Sequence, residues 1–137
     1  MRKRGSPHPQ TDWRDVLAKW RGSQARLWSY GISHKTLTIR LESENREGNL
    51  HIETNDTHVI QMPTVWFNAN IEIYWNVAYD RFKYPMSLLI DREAGVRILA
   101  TGICFRENVE PLMKVIYPKD HAPVLDHYMK VWTEYTV

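Results

Sequence analysis

Between Lys35 and Val59 apolar and polar residues alternate in three successive runs, and few other folds than an antiparallel sheet can use that pattern. In Thr36-Leu37-Thr38-Ile39-Arg40-Leu41-Glu42 the residues Leu37, Ile39 and Leu41 share one face. In Asn49-Leu50-His51-Ile52-Glu53-Thr54 the inward pair is Leu50 and Ile52. Asn45-Arg46-Glu47-Gly48 lies between them, and Gly48 can take the positive φ that closes a hairpin. A four-residue loop there sets Leu41 opposite Ile52 and Ile39 opposite Thr54. A slip of one residue would expose the apolar face, so the sidedness of the ladder is strongly specified.

A third run, Thr57-His58-Val59-Ile60, follows Asn55-Asp56, two residues suited to a tight turn. A two-residue loop predicts Glu53 opposite His58 and Ile52 opposite Val59. Together the two registers predict an outer row of Arg40, Glu53 and His58. His51, Glu53 and His58 include the donor types that bind zinc or iron, which makes an enzyme or metal site around them an alternative reading. Arg40 beside Glu53 argues instead for an ordinary cross-strand ion pair. No metal or other cofactor is expected.

The rest of the chain supplies cover and further strands. Thr11 or Asp12 can cap a helix over 12–21, with Trp13, Val16, Leu17 and Trp20 on one face and Gly22-Ser23 as its stop. Residues 25–32 can extend that helix or form a strand; the aromatic and branched residues of 28–32 favour the strand. After Met62-Pro63-Thr64, residues 65–69 read as irregular or a helical turn, and 70–75 alternate again. Residues 76–85 form a long connection. Met86–Ile90 and Val96–Cys104 pair as a hairpin around Asp91–Gly95 and are apolar at nearly every position, as strands covered on both faces are. Residues 109–117 suit a short helix or an extended arm, and Pro123 can open a helix running to Trp132. The expected fold is therefore α+β: an antiparallel, largely meandering sheet of five to seven strands, an N-terminal helix packed on it and a C-terminal helix.

Length and charge narrow the function classes. The 137 residues suit one domain, 11–137, preceded by a disordered basic tail over 1–10. The net charge of +2 contains Arg2, Lys3 and Arg4; without them 15 basic residues face 16 acidic ones, a net of −1. A nucleic-acid-binding domain normally carries its basic excess on the folded body. The Met1-Arg2-Lys3-Arg4 start is followed by Gly5–Gln10 instead of the apolar run of a signal peptide. No apolar run reaches membrane-spanning length. Cys104 is the single cysteine, so no internal disulfide forms. The expectation from these features is a cytoplasmic protein without a membrane partner.

Cys104 sits in an apolar strand and reads as a small buried hydrophobe, since no base or electropositive pocket accompanies it. Ser33-His34 reads as a turn, and His121 and His127 match no helical metal spacing. The sequence holds no P-loop, dinucleotide glycine fingerprint, HExxH, calcium loop or GxSxG elbow. No catalytic residue is nominated.

The most suggestive stretch is 66–84, where Trp66, Phe67, Tyr74, Trp75, Tyr79, Phe82 and Tyr84 lie among amide and charged residues. Such mixtures make interface hot spots, and the competing account is that they are core. Trp66, Tyr79, Arg81 and Tyr84 are the candidate binding residues. The expectation is a non-enzymatic protein–protein interaction module, an adaptor or inhibitor, using this connection or an unpaired sheet edge, with a homodimer left open. The alternative partner is single-stranded nucleic acid, held by the basic tail and exposed aromatics.

Overall fold

The computed structural model describes residues 12–109 and 112–117. Its elements are one helix, α1 (Trp13–Lys19), and eight strands: β1 (Gln24–Gly31), β2 (Thr36–Ser43), β3 (Arg46–Gln61), β4 (Val65–Trp66), β5 (Glu72–Tyr79), β6 (Pro85–Asp91), β7 (Val96–Val109) and β8 (Leu112–Ile116). The strands form one antiparallel sheet in the order β4-β1-β2-β3-β7-β6-β5, with β8 also paired to β7. The described chain is thus predominantly β, with eight strands where five to seven were expected. The C-terminal helix expected from Pro123, the basic tail and His121 and His127 lie outside the described residues.

Asp12 caps α1, its carboxylate accepting from the Arg14 N–H at 2.8 Å. The helix and its C-cap residue Trp20 bury Trp13, Val16, Leu17 and Trp20 in the same cluster as Leu37, Ile39, Leu50, Ile52, Ile98 and Phe105. Two tryptophans fix the helix at both ends. Trp13 meets Trp75 of β5 edge-on at 5.4 Å, and the buried Trp20 donates from Nε1 to Glu107 of β7 at 2.7 Å. Lys19 also reaches Glu107 at 2.7 Å, giving that buried carboxylate the partners its burial demands.

The hairpin β6–β7 is apolar on both faces, and the structure accounts for this. Leu89 and Ile98 belong to the main core, while Leu88, Ile90 and Leu99 join Val77 and Met86 in a second cluster. Since side chains alternate along a strand, the two clusters lie on opposite faces. The long β7 is the spine of the sheet. Its first half pairs with β6 and its second half with β8, while β3 runs along its other edge.

Several sequence expectations need correction. The β2–β3 loop is two residues long, with Ser43 opposite Arg46, and Leu41 faces Leu50 instead of Ile52. Ile39 faces Ile52, not Thr54. The displacement is two residues, so the expected inward face survives. Asn55-Asp56 is not a hairpin turn: β3 passes straight through it, with Asp56 at φ 50° and a bulge at Thr57/Val59. Pairing along β7 on both sides of the irregularity holds the strand together, and Glu53 faces Cys104 instead of His58. The Arg40–Glu53–His58 row is therefore absent. Residues 65–66 form a short strand on β1, β5 extends to Tyr79, and 112–116 is a strand. Among the described residues, no helix is long and apolar enough to cross a membrane.

Candidate functional site

The extension of β5 shortens the expected long connection to a tight hairpin loop closed by the Tyr79–Pro85 pair. Asp80 organises it. Its N–H donates to the Tyr84 carbonyl at 3.0 Å, and its own carbonyl accepts from the Lys83 N–H at 2.9 Å. Its Oδ1 also accepts the N–H groups of Phe82 at 2.8 Å and Tyr84 at 2.9 Å, the local side-chain bonding that makes Asp a turn former. Lys83 takes the left-handed conformation, φ 72°.

With its backbone thus occupied, the loop turns its rings outward: Tyr79 is 54% exposed, Phe82 67% and Tyr84 63%. The exposed Arg81 guanidinium lies 4.9 Å from the Phe82 ring centre. Of the residues nominated from sequence, Tyr79, Arg81 and Tyr84 lie together on this surface. Trp66 lies in the core at 6% exposure, its Nε1 donating to Asp91. Phe82, more exposed than either tyrosine, is not among the nominated residues; its place in a five-residue loop, bonded to Asp80, becomes visible only once β5 is extended.

A second polar surface lies on the outer face of β1, β2, β3 and β7. Arg26 pairs with Arg40, Arg40 with His51, and His51 with Arg106. Arg40 reaches Glu42 on its own strand at 2.9 Å, and Arg106 reaches Glu53 at 3.3 Å. The pair expected between Arg40 and Glu53 is replaced by these two. The pKa of His51 is lowered, first by burial and then by Arg40, so its imidazole is neutral at pH 7. Cys104, on the same face, has a thiol pushed up to about 11 by burial and by Glu53. A thiol held protonated is a poor nucleophile.

His51, Glu53 and His58 do not converge. His58 instead joins Asp56 and Asp80, with one potential ligand atom of each within 4.8 Å of the others. Asp56 Oδ2 also lies 3.4 Å from His58 Nε2 and accepts from Thr101 Oγ1 at 3.3 Å. The group thereby sets the aromatic loop against the irregular stretch of β3.

No family model matches the chain, and searches of curated proteins and of solved structures return no match.

Proposed function

We propose that the protein is a non-enzymatic interaction module that binds another protein through the β5–β6 loop. The observation that carries this reading is the exposure of Tyr79, Phe82 and Tyr84 on one short loop whose backbone is already hydrogen-bonded by Asp80. Aromatic rings offer large contact area, and a pre-ordered loop loses little entropy on binding. Arg81 adds a planar guanidinium of the kind enriched at hot spots. The lone cysteine agrees with action in the reducing cytoplasm.

Affinity capture from the native host, run in parallel with wild type and with Tyr79→Ala/Phe82→Ala/Tyr84→Ala, tests the reading. A stoichiometric protein should be retained by wild type and lost by the variant, with affinity falling at least about thirtyfold once the partner is purified. The melting temperature should stay within about 3 °C, because the three rings lie outside the core. Identical captured sets, or a large loss of stability, would remove the loop from consideration.

A further inference from the structure

The row Arg26–Arg40–His51–Arg106 sets three permanent cations across four adjacent strands, over about 14 Å at the usual inter-strand spacing. Like charges directly opposite each other destabilise a sheet. Glu42 offsets Arg40 and Glu53 offsets Arg106. Arg26 has no such relief: among the described residues it has no ion-pair partner, and its Nε is buried without an acceptor. Further along the row, beyond Arg40, the Nε2 of His51 is likewise buried and unbonded.

Above this row lies Trp28. The register steps from Leu27 opposite Ile39 to Ser29 opposite Thr38, leaving Trp28 as the extra residue of a bulge. Bulges re-aim side chains, and this one lays the indole over the outer face, 4.1 Å from the Arg40 guanidinium and 5.8 Å from the His51 ring. The guanidinium orders the ring by a cation–π contact, yet Trp28 remains 48% exposed. The surface thus presents an ordered aromatic ring beside an uncompensated guanidinium.

We infer that this face binds single-stranded nucleic acid, with one base stacked on Trp28 and an adjoining phosphate held by Arg26. The charge supports a phosphate over a neutral ligand. The half-exposed ring supports an unpaired base, because only an unstacked base offers its π-face. Arg40 and Arg106 remain tied to their carboxylates, so the site takes a short segment instead of tracking a long strand. These strands do not carry the β5–β6 loop, so the inference does not depend on the interaction reading.

Fluorescein-labelled pentathymidine and pentauridine, titrated with the full chain and followed by anisotropy and by quenching of tryptophan emission, test it. Saturable binding should quench the indole emission. Trp28→Ala should weaken binding about tenfold or more, and Trp28→Phe should retain most of it. Arg26→Gln should weaken binding and reduce the slope of log affinity against log salt by about one. Replacing Arg2, Lys3 and Arg4 with Gln should preserve the Trp28-dependent quenching. Failure of wild type to bind overturns the inference. So does equal binding of duplex or of a glutamate pentapeptide, or loss of binding with the tail variant but not with Trp28→Ala. Should Trp28→Ala lower the melting temperature, Arg26→Gln and Trp28→Phe still decide the matter.

Discussion

At the scale of single residues, burial decides which side chains have chemistry to offer. Cys104 shows the rule. It lies 9% exposed on β7, and its Sγ is 3.8 Å from Glu53 Oε1. Burial comes first and the carboxylate second in raising its pKa from 9.0 to about 11, which lowers the thiolate fraction at pH 8 roughly a hundredfold. A bulky aromatic disulfide reagent should therefore react with the native protein at least about a hundredfold more slowly than with the denatured chain, as followed by absorbance. Glu53→Gln should speed the native reaction without abolishing the difference, since burial remains. Equal native and denatured rates would place the thiol at the surface. The linkage has a definite sign: the folded thiol keeps its proton where the unfolded one loses it, so stability declines as pH rises from 9.0 towards about 11.

At the scale of elements, the predicted sidedness of the strands holds, while pairing across the sheet depends on features a single strand does not reveal. Leu37, Ile39, Leu41, Leu50 and Ile52 are all buried, as their alternation required. The register of β2 against β3 departs from the expected one because Gly48, which suits the end of a loop, lies inside β3 with φ 82°. Asn55-Asp56 has the composition of a turn, but pairing with the distant β7 and backbone bonds from Asp56 and Thr57 to the carbonyls of His34 and Lys35 keep it in the strand. The outer row joins Arg26 to Arg106 through pairings that local periodicity cannot supply, so the surface around Trp28 was hidden. The aromatic richness of 66–84 was legible, but the division into a buried Trp66 and an exposed loop depended on where β5 ended. Asp80 provides the test at this scale. Asp80→Ala removes the acceptor for two backbone amides and should cost about 1–2 kcal/mol in urea denaturation. Partner affinity should fall with it although no aromatic side chain has changed, because the loop must then be ordered on binding. Unchanged affinity would mean that the fold of the loop is irrelevant to recognition.

At the scale of the whole molecule, one buried carboxylate connects parts of the sheet that the strand order separates. β4 begins that order and β6 stands next to its other end, yet Trp66 of β4 donates from Nε1 to Asp91 of β6 at 2.9 Å. The same Oδ2 accepts the Asn70 N–H at 2.8 Å, and Oδ1 accepts the Ala94 N–H at 3.4 Å. The sheet must curve for these groups to meet, and on its main core Trp13 of α1 and Trp20 at the helix C-cap reach β5 and β7. Asp91 is 1% exposed, so water cannot replace it when it is removed. Asp91→Ala therefore leaves a buried indole N–H and nearby amides without their acceptor. The expected cost is about 3 kcal/mol, or a melting temperature lower by about 10 °C. Asp91→Asn keeps one carbonyl oxygen that can still accept, so its loss should be intermediate. Leucine approximates the lost volume but accepts nothing, so Asp91→Leu should behave like the alanine variant if hydrogen bonding, not packing, closes the curve. Far-UV circular dichroism and tryptophan emission should report one coincident transition in each variant, because helix and sheet share the main core. Separate transitions, or a loss below about 1 kcal/mol in the alanine variant, would show that the ends of the sheet are held together without Asp91.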